Sequence, residues 1–441
     1  MRTTPEKVTW PLAGAAVMTL LAVLTGLGQV HLIVGVALLI GVLLFIGTAQ
    51  PRLVLLLTGV FVVTPPTAWP RVGQLGEATI HVSDVLLVLL AFASLIHPRR
   101  RRPTPVLKVL GVFLLLGVFR SSLGEGPGST ASFLRVVEPV VAGAAVGLLL
   151  PRDCDVWRTV RWALFGVLAA VPLFGETFPR WYGLPGGPNE VALVAAVLVV
   201  LGVAESNKGL KILFFCGGMV GLIGSKGILA SAGALAGVTV LSLARRSHSR
   251  EARTSRINPW TIVGAMVCAG WAIPLLRPDM AVTFQIHATQ AQSFWPTMAA
   301  TNPLFGGGWT TADRDALMST YLQTHIYGLH NVYLDVAAFL GVFGLFTFLL
   351  LLWRAWRNSD RLTRAVLATV AVWFNTTGAF PGVGWGILGL VVAATVGHVP
   401  ADRQSFLPLA KAPTVSSRSR VPWSAVRTPQ PCPGTRTAHA D

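Results

Sequence analysis

A chain of 441 residues would ordinarily divide into two or three soluble domains, but 53% of these residues are hydrophobic, only 12% are charged and the mean hydropathy is +0.63. Apolar runs near 20 residues, the thickness of a bilayer core in helical form, recur along most of the length. They exclude a soluble enzyme and predict an all-α polytopic membrane protein. The formal charge of +17 does not point to nucleic acid, because most Lys and Arg fall in alternate connections, the positive-inside pattern of a multi-spanning protein facing membrane lipids.

Apolar segments at 8–28, 30–49, 52–69, 82–97, 105–123, 132–150, 157–175, 189–206, 209–224, 227–244, 259–276, 331–353, 362–380 and 383–399 predict about twelve to fourteen transmembrane helices. The third is interrupted by Pro65-Pro66 and the last two are short, hence the lower count. Segment 8–28 has no convincing cleavage site and runs straight into the next, so it reads as a span rather than a signal peptide. As one helix, 209–244 would extend about 54 Å against a hydrocarbon core of about 30 Å. It must fold back, and Gly224-Ser225-Lys226-Gly227 is the natural turn. The tail 400–441 is rich in Pro, Ser, Thr and Arg, a disordered composition. Cys154, Cys216, Cys268 and Cys432 include no metal-spaced pair and suggest no disulfide framework.

The basic clusters at 99–102, 245–256 and 354–364 are expected in the cytoplasm, and an even number of crossings puts both termini there. The opposite face then receives the loop after Arg120, the stretch 178–189, the turn at Lys226, one long extracytoplasmic loop at 277–330 and the start of the helix after His330.

The polar residues on that face each admit two readings. His330, beside Asn331, can accept a proton from a hydroxyl, with Asn331 orienting ring or substrate. It can equally satisfy a helix N-terminus. Lys226, a lone cation at a turn in an apolar stretch, suits a diphosphate; the plainer reading is snorkelling to headgroups. Ser225 stands beside it. Asn189, after the Gly/Pro-rich run that follows Arg180, is a candidate N-cap whose neighbouring amides could hold a phosphate or sugar oxygen. Arg120 and Arg135 can touch a ligand or pair with Glu125 and Glu138. Asp153-Cys-Asp155 and Asp313-Arg-Asp315 are weak metal signals, so no metal or other cofactor is expected. The sequon Asn375-Thr-Thr sits too close to a helix end to mean much.

In order, Arg180-x-x-Gly183-x4-Pro188-Asn189-x-x-Ala192, Gly224-Ser225-Lys226-Gly227, Asn302-Pro-Leu-Phe-Gly-Gly-Gly308 and His330-Asn331-x-Tyr333-Leu334 with Gly341-x-x-Gly344-Leu345 resemble the O-antigen ligase/polymerase superfamily, over roughly residues 110 to 355. The resemblance implies N-terminal helices at 1–104, a catalytic transmembrane region at 105–399 and a cytoplasmic tail. It implies an inverting, metal-independent glycosyltransferase of a bacterial cytoplasmic membrane. Such an enzyme takes a glycan from a polyprenyl-diphosphate carrier and joins it to a glycan or lipid acceptor. Carried over residue by residue, His330 would activate the acceptor and Lys226 would stand where the family has a diphosphate-binding arginine. Arg180, Asn189, Ser225, Asn331, Tyr333 and Arg120 would contribute to substrate binding. The lysine loses the bidentate fork of arginine. A second family arginine is missing from Gln290-Ala-Gln-Ser-Phe-Trp295. A transporter of lipid-linked oligosaccharide, or a non-catalytic partner of the same fold, is the competing expectation.

Overall fold

The computed structural model describes residues 51–64, 71–75, 78–81, 84–85, 104–123, 129–150, 155–174, 181, 185, 187–246, 302–308, 331–375 and 382–397. All belong to the first of two units into which the chain divides, Met1–Val399 and Pro400–Asp441. The expected spans at 8–28, 30–49 and 259–276, the body of 82–97, most of the 277–330 loop and the tail lie outside the described residues.

The described part is mostly helical: α1 Pro51–Val62, α2 Pro105–Ser122, α3 Ser129–Leu149, α4 Val156–Phe174, α5 Pro188–Ala204, α6 Lys208–Ser225, α7 Ile228–Arg246, α8 Val332–Asn358, α9 Arg361–Trp373 and α10 Val383–Gly397. Four of them, α2, α4, α6 and α8, are long and apolar enough to cross a membrane, and α5, α7 and α10 contain shorter apolar stretches. Local chemistry sets their starts. Thr104, Asn207, Asn331 and Asp360 each accept a backbone N–H of the first turn, and Pro105 and Pro188 open α2 and α5, where no amide is needed.

Two expectations need correcting. The all-α expectation misses a two-stranded antiparallel hairpin, β1 Arg71–Leu75 and β2 Ala78–His81, with Leu75 opposite Ala78 and a bulge between Arg71 and Gly73. The segments 52–69 and 362–380 are shorter as helices, ending at Val62 and Trp373. Pro65-Pro66 disfavours a helical Thr64, and its hydroxyl instead donates to Val60 O (2.9 Å).

Helix α5 is the centre. Every residue from Val191 to Gly202 is buried, as expected of a helix apolar on all sides; α6, α7, α9, α4 and α10 enclose it. Where helices touch most closely, small residues line the contact. A Cβ at Gly143 of α3 would collide with Gly389 of α10, one at Gly147 would press on Ala393, and ones at Gly233 and Gly237 of α7 would press on Thr369 and Ala365 of α9. Such close backbone approach is how helices associate where no water drives them together. The large exposed side chains, among them Leu115, Phe119, Ile212, Ile223, Leu235 and Phe346, lie on the outside of α2, α6, α7 and α8.

Successive helices alternate in direction from α2 to α7 and again from α8 to α10, and cross-links at the two ends show it. At one end Trp157 Nε1 donates to Thr363 Oγ1 (2.9 Å), the Ser359 and Thr395 hydroxyls share a hydrogen bond (2.7 Å), Arg361 donates to Leu241 O and Arg161 pairs with Glu205. This Ser359 end carries Arg158, Lys208, Lys211, Arg245, Arg354 and Arg357. The opposite end gathers the start of α5, the α6–α7 turn, the start of α8 and the end of α9. There Trp181 N donates to Gly224 O, Trp373 Nε1 to Asn189 O and Val332 N to Phe374 O.

The close α3–α10 contact yields a test. Gly143→Leu should destabilise the folded protein by about 1–3 kcal/mol through overpacking, read as a lower melting temperature in detergent. Gly166→Leu, where an added Cβ meets open space, should melt with the native protein.

Candidate functional site

The end marked by Lys226 brings together what can be described of the predicted site. Lys226 itself terminates α6 in the left-handed conformation (φ 55, ψ 33), its amide donating to Leu222 O at 3.0 Å. It is the one non-glycine residue with positive φ among the described residues, a position where glycine is the usual choice. Its side chain is exposed and makes no hydrogen bond or ion pair with the described residues. The turn expected at 224–227 is therefore present, and it delivers a free ammonium group to this end of the bundle. Ser225 is fully buried, and its hydroxyl donates to Leu222 O (3.2 Å) within its own helix.

Asn331 caps α8: its Oδ1 accepts from Tyr333 N (3.0 Å) and Leu334 N (3.1 Å), and its Nδ2 donates to Asn375 Oδ1 (3.4 Å). Tyr333 donates its hydroxyl to Ala371 O (2.8 Å) and packs against Phe348 and Phe374. Both residues tie α8 to the end of α9. Asn189 is not the N-cap of α5. That place is taken by Gly187, whose carbonyl accepts from Glu190 N and Val191 N, because Pro188 fits the first helical position and so puts the cap at the residue before it. The Asn189 carbonyl holds Trp373 instead. His330 and Arg180 lie outside the described residues, as does Asp313-Arg-Asp315.

The segment Asn302–Gly308 has a place that no side-chain pattern announced. Helix α8 is interrupted at Gly341 (φ 68, ψ −168). The segment seats in the interruption and bonds the backbone groups it releases. Val342 N donates to Pro303 O (3.0 Å) and Phe343 N to Leu304 O (3.3 Å), while Gly307 N donates to Ala338 O (2.9 Å) and Gly308 N to Phe339 O (2.9 Å). Asn302 folds the segment, its side chain accepting from Phe305 N (3.1 Å) and its carbonyl from Gly306 N (2.7 Å). Positive φ and close approach require glycine at both Gly306 (φ 72) and Gly341; a Cβ would collide with Phe339 at the first and with Leu304 at the second. Arg120, on α2, closes the arrangement: Nε (3.0 Å) and Nη2 (2.7 Å) both donate to Gly306 O.

Arg135 pairs with Asp84 (3.3 Å), and Asp84 also accepts from His81 N (2.7 Å). The hairpin is thereby tied to α3. One ionisable residue was missed in the sequence, and another was read only as a partner for arginine. Asp335 is almost wholly buried in the first turn of α8, where a negative charge suits the helix dipole. Glu138, a turn beyond Arg135, has a buried Oε1 without a hydrogen-bond partner. Among the described residues no group of His, Cys, Asp and Glu could hold a metal; Asp155 instead caps α4 through Arg158 N (3.1 Å). No protein-family profile and no curated protein matches the chain.

The backbone at Lys226 makes a separate prediction. A residue with a Cβ is strained in the left-handed region by about 1–2 kcal/mol, so Lys226→Gly should raise the melting temperature while Lys226→Ala should not. A Lys226→Gly protein that melts at or below the native temperature would contradict the left-handed turn.

Proposed function

We propose that this protein is a membrane glycosyltransferase of cell-surface polysaccharide assembly. It transfers or polymerises a glycan from a polyprenyl-diphosphate carrier onto an acceptor hydroxyl outside the bacterial cytoplasmic membrane. One observation carries the reading. A side chain suited to a diphosphate (Lys226), the residue after the candidate base (Asn331) and a braced loop segment (Asn302–Gly308) belong to the same end of a bundle whose other end is rich in Arg and Lys. The positive-inside rule assigns the basic end to the cytoplasm, and lipid-linked glycans are used on the other side.

In this reading the acceptor hydroxyl attacks the anomeric carbon, and the C–O bond to the diphosphate breaks with inversion. His330 takes the hydroxyl proton, a role that typically contributes about 10²–10⁴ in rate. Lys226 holds the departing carrier diphosphate, helped by Arg180, so that fixed positive charge meets the charge that develops there. The protein's partners are then the lipid-linked donor, the acceptor and the surrounding lipids.

A transporter is the second reading, and the interruption in α8 favours it, since transporters bind substrates and ions at broken helices. Here, however, the backbone groups freed by the break are bonded to Pro303, Leu304, Gly307 and Gly308 of the same chain, which leaves them unavailable to cargo. Transport without transfer by the purified protein in liposomes would decide for the transporter.

Glycan transfer from a lipid-linked donor tests the enzyme directly. His330→Ala should lose about 10²-fold or more of the rate while the protein stays in the membrane, and wild-type transfer would remove the base. Lys226→Arg should keep or raise activity and Lys226→Ala should lose it; equal rates would remove the diphosphate contact. Cysteines introduced at 277–329 should react with an impermeant reagent from outside, and those at 245–256 should not.

A further inference from the structure

The break in α8 offers more than a fixed kink, because the backbone groups it exposes have two alternative sets of partners. In an uninterrupted α-helix the N–H of each residue bonds the carbonyl four residues earlier. Val342 N would then pair with Ala338 O, and Phe343 N with Phe339 O. These are the four groups that now bond Asn302–Gly308: two N–H groups to Pro303 O and Leu304 O, two carbonyls from Gly307 N and Gly308 N. Removing the segment therefore leaves no orphan in α8, provided Gly341 turns from its present φ of 68 to a helical value. The helix is complete in either state, once with the segment and once with itself.

The seated state depends on groups outside this exchange. Arg120 places two N–H groups on Gly306 O from a different helix, a charge-assisted contact that nothing in the closed helix replaces. The break lies nine residues into α8, about 13 Å along its axis at 1.5 Å per residue, with the apolar side chains of Leu304, Phe305, Val342 and Phe343 exposed around it. At that depth unpaired backbone is costly, so a half-withdrawn segment is disfavoured, and full withdrawal must carry the freed groups of Pro303, Leu304, Gly307 and Gly308 to water.

We propose that Asn302–Gly308 is a removable clip, that α8 switches between broken (clip seated) and continuous (clip withdrawn), and that Arg120 is the positioning residue that latches the seated state. Resting on the transferase reading above, the latch holds the first turns of α8, and with them Asn331, in the orientation used for transfer. Closing the break re-aims those turns relative to the remainder of α8. Arg120 thus acts on the reaction through the clip and not by touching the donor.

Seating is read without any substrate. In a protein with Cys154, Cys216, Cys268 and Cys432 replaced by Ser, the Phe305→Cys/Phe343→Cys pair reports the clip, since the two rings lie 5.3 Å apart between centroids. Oxidative cross-linking of that pair should be fast with Arg120 in place. It should slow by about tenfold or more in Arg120→Ala, the low end of what the loss of a charge-assisted hydrogen bond gives, and recover partly in Arg120→Lys. Gly341→Ala, which disfavours the positive φ of the break, should slow cross-linking as well. In that variant hydrogen exchange at the Val342 and Phe343 amides should stay slow, because the closed helix takes them up. Unchanged cross-linking in either variant overturns the clip, and fast exchange at those amides in Gly341→Ala overturns the switch, since the helix would then have frayed and not closed. Arg120→Ala should also lower kcat for transfer more than it raises KM for the donor; a rise in KM alone overturns the positioning role. The transferase reading fails separately, if His330→Ala transfers normally while the cross-linking results stand.

Discussion

The constraint that governs this structure is that no backbone amide or carbonyl can be left unpaired where water does not reach. Within a regular helix the constraint is met locally and disappears from view. It becomes visible at Gly341, where α8 stops obeying the helical hydrogen-bond pattern and a segment from more than thirty residues earlier supplies the missing partners. The composition of Asn302-Pro-Leu-Phe-Gly-Gly-Gly308 follows from that duty. Asn302 turns the chain, glycine is needed where the backbone presses on Phe339, and Leu304 and Phe305 present an apolar surface outward. What looks in the sequence like a loop motif beside a site is a piece of the scaffold.

The same economy shapes the helix contacts. Lipid tails are as apolar as leucine, so burying a leucine against another helix brings little advantage over leaving it in the bilayer. Association then rests on how closely two backbones approach, and close approaches here are made by Gly386 on Val62, by Gly143 and Gly147 on Gly389 and Ala393, and by Gly233 and Gly237 on Ala365 and Thr369. Polar cross-links at the Ser359 end, such as Trp157–Thr363 and Ser359–Thr395, fix the rotation of the helices around one another.

Much of the helical framework was legible because length and apolarity suffice to specify a span. The fold-back at 224–227 was legible because a single helix across 209–244 would outrun the bilayer, and the structure puts the left-handed residue at Lys226. The hairpin carried a signal that went unused: two short runs separated by Gly76-Glu77, a pair suited to a tight strand connection. The break in α8 was not legible, since Gly341 sits in an unbroken apolar run and its cause is a distant stretch of chain. Arg120 was weighed against acidic partners and a ligand, whereas its acceptor is a backbone carbonyl, which has no identity in the sequence. Asn189 was taken for a cap by residue type, although the proline before it had already claimed the first helical position. The readings at His330 and Arg180 rest on the sequence alone.

The enclosure of α5 on every side has a bearing on how the chain is assembled. Two of its neighbours, α9 and α10, are encoded more than 150 residues later, so during synthesis α5 is made long before they exist. Its uniformly apolar surface makes that interval harmless, because acyl chains solvate it as well as protein does. Maturation of the core is then an exchange of lipid for helix around α5, completed only when α9 and α10 have been made.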